Sequence, residues 1–146
     1  MKKKKAAPRQ ENSLQNDQRH CSRGSGGSSS RPPMRRRQTK TERAYMLIIS
    51  NPHGVTENDI LRRCHLSSGR NYPNLLEKAA DIRLKRIPEP NPDGIGTHYR
   101  YQIRSAQDAW KAIMVANSLR ARRGNEPVKG GEVVRLTSLY SEQEGV

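Results

Sequence analysis

The chain has 146 residues, of which 32% are hydrophobic and none is Phe, so one small domain with polar tails is expected. Its 28 Lys and Arg against 14 Asp and Glu give a net charge of +14. Residues 1–40 carry +10 of this charge, residues 41–124 carry +6 and residues 125–146 carry −2. A basic arm joined to a basic domain indicates a polyanionic partner, because each neutralised phosphate releases counterions. For the arm alone, a role as a solubilising tail is as well supported as binding to a polyanion.

Several classes of protein are disfavoured by what the sequence lacks. Cys21 and Cys64 form no CxxC pair and are too few for a disulfide scaffold, so neither a metal site nor export is expected. No apolar run is long enough for a membrane span, and the N-terminus lacks a secretory core. The chain has no glycine-rich phosphate loop, GxSxG elbow or HExxH helix. We therefore expect a cytoplasmic protein that is not an enzyme and needs no cofactor.

The composition divides the chain into three parts. Residues 1–38 are of low complexity and lysine- and arginine-rich, which predicts a disordered basic arm because little apolar surface is available to offset the entropy of ordering. Residues 39–124 hold the helical and strand patterns and are expected to form the domain. Residues 125–146 are polar, Gly-rich and slightly acidic, and they are expected to be a flexible tail. The alternative is that residues 132–140 form a strand or contact a partner.

Two helix starts are signalled by capping residues. Thr39 is followed three residues later by Glu42, and Thr56 by Asp59, a spacing that satisfies unpaired amides at a helix N-terminus. Apolar residues at helical spacing after the first cap predict a helix over about residues 40–50, ended by the "NPHG" turn. The second cap predicts a helix of about two turns.

The third helix is predicted to begin near Asn71, so that Pro73 lies in the first turn, where its missing amide is tolerated. At about 100° per residue, one face is expected to be apolar and to consist of Tyr72, Leu75, Leu76 and Ala79. The opposite face is expected to consist of Arg70, Asn74, Glu77 and Asp81, with Asn71 and Lys78 on its flank.

A β-hairpin and a last helix complete the pattern. Two candidate strands flank the turn at residues 91–94, which predicts a hairpin over about residues 83–103 with Tyr99 and Tyr101 on the core side. Ser105 then caps an amphipathic helix that ends near Gly124. Its apolar stripe includes Trp110, Ile113 and Met114, and two alternatives stay open: packing on the first helix, or formation of a homodimer.

The order of these elements over residues 39–104 resembles the winged helix-turn-helix family of DNA-binding domains. The likeness is most specific over residues 54–87, where "GVT", Ile60, Leu66 and the pair Leu75 and Leu76 are similar to the family's core positions. The expected fold is thus α+β and mainly α: three helices and a hairpin wing, followed by a C-terminal amphipathic helix, with disordered tails. The subtype looks like small regulators of bacteria, phages and plasmids.

The resemblance implies a function and candidate contact residues. The third helix would enter the major groove of double-stranded DNA, and the wing and the basic arm would lie on phosphates. The implied base contacts are Arg70, Asn71 and Asn74. The implied phosphate contacts are Arg62, Lys78, Lys85, Arg86 and Arg100, with His98 as a further candidate. Glu77 and Asp81 depart from this pattern, because carboxylates would repel phosphates, so contact is expected to be restricted to the first turn and a half.

Two alternatives from other classes remain. A winged helix can bind a protein with its third helix, and the acids on that helix would suit such a partner. RNA is the other alternative, since a basic arm does not distinguish the nucleic acids, and a stacking platform for single strands would require exposed tyrosines.

Overall fold

The computed structural model describes residues 36–142, and its first helix is α1 (Lys40–Ile49). The predicted cap at Thr39 is confirmed, because its Oγ1 accepts a hydrogen bond from the Glu42 amide at 2.9 Å. Ala44, Ile48 and Ile49 are fully buried, so the helix forms one wall of the core. The predictions for the basic arm before residue 36, including Cys21, lie outside the described residues.

A two-residue strand, β1 (Val55–Thr56), leads directly into α2 (Glu57–Arg63). The predicted cap at Thr56 is confirmed as a full capping box, in which the Asp59 amide donates to Thr56 Oγ1 and the Thr56 amide donates to Asp59 Oδ2. Burial would raise the pKa of Asp59, but the hydrogen bonds from Thr56 and the charges of Arg100 and Arg63 together lower this pKa. The start of α2 is therefore fixed by its own sequence.

The turn between α2 and the third helix passes very close to α2. A Cβ at Gly69 would overlap the carbonyl oxygen of Glu57, so only glycine fits there. The helix α3 (Asn71–Ala80) follows at once and holds Pro73 as its third residue, as predicted. The close approach of Gly69 to Glu57 therefore constrains the path of the chain between α2 and α3.

The apolar face of α3 differs from the prediction. Pro73, Leu76 and Ala80 are buried, whereas Leu75 is 45% exposed and Ala79 is exposed. The proline is the physical reason: its ring is an apolar surface near the start of the helix, and burying it turns the helix so that Leu75 faces outwards. The prediction that Leu75 and Ala79 belong to the core is wrong.

The sheet is antiparallel, and its strand order is β1, β3 (Thr97–Gln102), β2 (Lys85–Pro90). The hairpin pairs Lys85 with Gln102 at its base and Pro90 with Thr97 at its tip. The predicted turn is present, with the Gly94 amide donating to the Asn91 carbonyl at 2.9 Å. The hairpin therefore extends from the helical core, and β1 ties its inner strand to the start of α2.

The long helix α4 (Ala106–Arg122) packs against both α1 and α3. Its buried residues are Ala109, Ala112, Ile113 and Ala116, and these mostly small side chains allow close helix packing. Trp110 lies outside this face and is 51% exposed. Because Ile113 is fully buried, it cannot contribute to the predicted homodimer contact without unpacking the core, which leaves Trp110 and part of Met114.

The prediction of a flexible tail over residues 125–146 needs correction, because residues 130–141 form a helix, α5 (Gly130–Ser141). Leu136 and Tyr140 on α5 are fully buried. The Tyr140 hydroxyl donates to the Ile49 carbonyl at 2.6 Å and to the Ile48 carbonyl at 3.3 Å, at the C-terminal end of α1. Removal from water raises the pKa of this hydroxyl. The domain therefore extends well beyond residue 124.

Within residues 36–142 the fold is α+β and mainly helical, with five helices and one three-stranded antiparallel sheet. This architecture is compatible with a winged helix. The same residues contain no helix that is long and apolar enough to cross a membrane.

Candidate nucleic-acid interface

The exposed face of α3 gathers several of the predicted contact residues. Asn71, Asn74 and Lys78 are all exposed, together with Leu75. Arg70, directly before the helix, has a side chain that is 77% exposed and lies 3.6 Å from Glu57 at the start of α2. The face therefore presents amide groups, an aliphatic side chain and cations side by side, a mixture suited to the edges and phosphates of a duplex.

Glu77 lies at the edge of this face rather than on it. Its Oε1 accepts a hydrogen bond from the Leu84 amide at 2.8 Å, and only 11% of its side chain is exposed. Burial would raise the pKa of Glu77, but the hydrogen bonds from Arg86 and from the Leu84 amide, together with the charges of Arg86 and Arg83, lower this pKa. The prediction that Glu77 lies on the exposed face of α3 with Asn74 is wrong, for the same reason that Leu75 is exposed: the helix is turned by the burial of Pro73. Asp81, which ends the helix in the left-handed conformation, is exposed as expected.

Arg86 is the cation that neutralises Glu77. Its guanidinium donates to both Glu77 oxygens, at 3.0 Å and 2.8 Å, and to Asn74 Oδ1 at 3.1 Å. The group also lies over the Tyr101 ring, 5.6 Å from its centroid. Arg86 thus connects β2 to α3, and a phosphate would have to compete with these contacts. Its role as a phosphate contact stays a prediction.

Arg100 is similarly engaged on the other face of the hairpin. It donates to Glu89 from Nε at 2.6 Å and from Nη2 at 3.0 Å, and to the Gly54 carbonyl at 3.1 Å. The hydrogen bond from Arg100 is the main reason that the pKa of Glu89 is lowered. Because Arg100 holds the hairpin against the loop before α2, its prediction as a phosphate contact also requires competition with an internal ion pair.

The remaining predicted phosphate contacts are Arg62, Lys78 and Lys85, and all three are exposed. None of them makes an ion pair with another residue of the 36–142 segment. They lie on α2, α3 and the base of the hairpin, so a basic side chain is available on each element of the predicted DNA-binding surface.

The hairpin tip, residues 91–96, carries no Lys or Arg. Asn91 organises it, with its Nδ2 donating to the Ile95 carbonyl at 2.6 Å and its Oδ1 lying 2.9 Å from His98 Nδ1. Ile95 itself is 78% exposed. The tip is therefore an internally bonded turn with an exposed carboxylate, Asp93, and no cation, and the basic residues of the hairpin lie nearer its base.

Tyr99 was expected on the core side of the hairpin, and that expectation is wrong. The residue is 49% exposed, whereas Tyr101 is half-buried and Ile103 is buried. The alternation of side chains puts all three on one face, but only the inner end of that face meets the helices. The strand extends beyond the core, which leaves Tyr99 uncovered.

The last described residues of the basic arm lie against the C-terminal end of α4. The Arg36 carbonyl accepts from Asn125 Nδ2 at 3.0 Å, and the Arg37 carbonyl accepts from Arg123 at 3.5 Å. The side chains of Arg36, Arg37 and Arg123 are exposed. Residues 36 and 37 therefore lie beside the cations at the C-terminal end of α4.

Chemical sites of other kinds are not apparent in the part of the chain that the structure describes. Residues 36–142 contain no group of three His, Cys, Asp or Glu side chains that could hold a metal ion. Cys64 is a buried free thiol whose pKa is raised by burial. The expectation that the protein is not an enzyme stays a prediction.

Comparison with known proteins gives no relative from which a function could be inferred, so the proposed function is based on the geometry of the surface. No protein-family model, curated protein or solved structure matches the chain. The likeness to winged helices therefore depends on the order of the elements and on the residues described above.

Sequence reasoning missed two features of this surface. The outward position of Leu75 followed from the burial of Pro73, and the only available signal was that a proline ring is itself apolar. The contact between Arg86 and Asn74 joins residues on two elements, and the sequence contains no local signal for it.

Proposed function

We propose that the protein binds double-stranded DNA as a winged helix-turn-helix domain, with α3 in the major groove. In this proposal α2 and the turn at Gly69 are the first part of the helix-turn-helix, and the β2–β3 hairpin is the wing. The protein would act as a transcription or replication regulator of a bacterium, phage or plasmid, in the cytoplasm and associated with the nucleoid.

The observation that carries the proposal is the composition of the exposed face of α3. It offers Asn71, Asn74 and Lys78, with Arg70 beside them in contact with Glu57, while Glu77 on the same helix is turned aside and neutralised by Arg86. A helix fits the major groove, where asparagine amides pair with adenine and arginine pairs with guanine. The carboxylate that would oppose such docking is thus largely removed from the face.

Charge supports the same partner. The net charge of +14 belongs mostly to residues 1–40 and to the domain. Arg62, Lys78 and Lys85 are exposed on α2, α3 and β2 and make no ion pair within the described segment. Phosphate contacts would fix the register of the helix on the duplex, and the arm would add affinity without sequence preference.

A protein partner is the second candidate, and exposed apolar residues favour it. Leu75 is 45% exposed on α3 and Trp110 is 51% exposed on α4, and aromatic residues are enriched in protein interfaces. Single-stranded RNA is a third outcome, because the exposed ring of Tyr99 is available for stacking.

The salt dependence of duplex binding tests the proposal. The full chain is expected to bind a mixed-sequence duplex with an affinity that falls steeply as salt rises. Lys78→Gln is expected to weaken binding similarly on all sequences and to reduce the slope of log affinity against log salt by about 1, because one phosphate contact is lost. Fluorescence anisotropy at several salt concentrations measures both quantities.

Lys129→Gln is the matched control, since it removes the same charge from an exposed position before α5. We expect its slope to stay within a few tenths of the wild-type value. Duplex binding that is absent or independent of salt contradicts the proposal and favours a protein partner. Tighter binding to single-stranded RNA than to the duplex contradicts it in favour of RNA.

A further inference from the structure

Arg86 reaches from the hairpin to the face of α3 and binds two residues there at once. One guanidinium nitrogen, Nη1, donates to Glu77 Oε1, and the other, Nη2, donates to both Glu77 Oε2 and Asn74 Oδ1. Glu77 is in turn held by the Leu84 amide. The guanidinium is thus fixed by a carboxylate that is itself fixed, and Asn74 is bound to this rigid group.

The chemistry of guanidinium determines how the Asn74 amide is oriented. The arginine side chain offers only N–H donors, so Asn74 must turn its carbonyl oxygen towards Arg86. In the opposite orientation the NH2 group of Asn74 would face the N–H groups of Arg86, and no hydrogen bond could form. The Nδ2 group has no acceptor within residues 36–142, and Asn74 is exposed. Its N–H groups are therefore left for an external acceptor, and the side chain is ordered before any ligand arrives.

We propose that Arg86 is a positioning residue for base recognition, which orients Asn74 so that Nδ2 donates a hydrogen bond to N7 of a purine in the major groove. This inference rests on the proposed function. Purine N7 is an acceptor at the major-groove edge, and the second lone pair of Asn74 Oδ1 remains available for the amino group of adenine. Adenine is thus the expected base.

This role differs from that of a phosphate contact, which would require only the positive charge of Arg86. Positioning requires the planar fork, because the same group must bind the two Glu77 oxygens and Asn74 together. Lysine keeps the charge but offers a single nitrogen on a flexible stem. Arg86→Lys therefore separates the two roles.

The test compares natural duplexes with duplexes in which each purine of a selected binding site is replaced in turn by its 7-deaza counterpart, which lacks N7. For the wild-type chain, one such replacement is expected to weaken binding by about fivefold, the value of one hydrogen bond. For Arg86→Lys and for Asn74→Ala, the natural duplex is expected to bind about fivefold more weakly, and the effect of that replacement is expected to disappear. The salt slope of Arg86→Lys should equal that of the wild type. Arg83→Lys, at an exposed neighbouring position, is the matched control and should behave as the wild type.

The outcomes separate this inference from the proposed function. If wild type and Arg86→Lys lose the same affinity at the same purine, or if no purine shows a loss, Arg86 does not position Asn74 for N7, although duplex binding stands. If the wild type binds no duplex, the proposed function fails and the inference fails with it.

A measurement without DNA checks the same arrangement in the free protein. The side-chain amide of Asn74 should give a rigid signal in NMR relaxation for the wild type and a mobile one for Arg86→Lys, while the thermal melting curves show that both chains are folded. An Asn74 amide that is equally mobile in both proteins would overturn the positioning role.

Discussion

Replacing Arg120 by Met is expected to lower the free energy of unfolding by about 3 kcal/mol, because a buried carboxylate would lose its cation. Arg120 Nε donates to Glu42 Oε1 at 2.8 Å, and the Glu42 side chain is 1% exposed. No described residue hydrogen-bonds the other carboxylate oxygen. The arginine, whose side chain is 19% exposed, is thus the main compensation for a charge inside the core.

Urea denaturation of the wild type and of Arg120→Met measures this difference in the free energy of unfolding. Arg122→Met is the matched control, since Arg122 is exposed near the end of the same helix, and we expect its stability to stay within about 0.5 kcal/mol of the wild type. The double variant Glu42→Gln with Arg120→Met is expected to recover part of the loss, because the buried charge is then absent. Equal stability of Arg120→Met and the wild type would contradict this account of the core.

Replacing Tyr140 by Ala is expected to lower the free energy of unfolding by about 4 kcal/mol, the loss found when a buried aromatic ring is deleted. The ring is fully buried, and its hydroxyl bonds the last carbonyls of α1. Tyr140→Phe keeps the ring and is expected to lose about 1 kcal/mol, because only the hydrogen bond is removed.

The same denaturation measurement checks both variants, and α5 supplies its own control. Val134 is 65% exposed, so Val134→Ala is expected to change the stability by less than about 0.5 kcal/mol. If Tyr140→Ala is as stable as Val134→Ala, then α5 is not part of the folded core, and the flexible tail expected from the sequence is correct after all.

These two contacts join distant parts of the sequence at the two ends of α1. Glu42 near its start meets the end of α4, and the carbonyls at its end meet α5. The helices after the hairpin therefore complete the core of the helices before it, and a domain ending at residue 124 would keep the α4 contact but lose the α5 contact.

Local signals were sufficient to predict where most elements begin. Thr39, Thr56 and Ser105 each accept a hydrogen bond from the amide three residues on, as their spacing predicted. The hairpin turn at Asn91 and Gly94 also follows from local chemistry. Caps and turns are predictable because all their partners lie within a few residues.

The C-terminal helix was missed because its local signals conflict. It begins at Gly130 and Gly131, which are poor helix formers, and its first cap position, Lys129, makes no side-chain cap hydrogen bond. Leu136 and Tyr140 are four residues apart, a spacing that fits a helix, but the segment was predicted to be a flexible tail, with a strand or a partner contact as the alternative. The helix packs on α4, and the hydrogen bonds of Tyr140 join it to α1, over ninety residues away in the chain. A local sequence pattern does not report such tertiary contacts.

The candidate site was predictable in its residues but less so in its geometry. Arg70, Asn71 and Asn74 are exposed as predicted, whereas the helical period alone placed Leu75 and Glu77 wrongly. The pairing of Arg86 with Glu77 and of Arg100 with Glu89 depends on the register of the hairpin and its angle to α3. These pairs decide which cations remain available, and they appear only in the folded chain.

Selection of bound sequences from a random pool of DNA duplexes tests the central claim most directly, namely that the exposed face of α3 reads bases. The full chain is compared with the variant Arg70→Ala with Asn74→Ala, whose replaced residues both have exposed positions outside the core. We predict that the wild type enriches a defined motif containing a purine required through N7, and that the variant enriches a flatter motif or none. Failure of the wild type to enrich any motif, or enrichment of the same motif by both chains, would contradict the account.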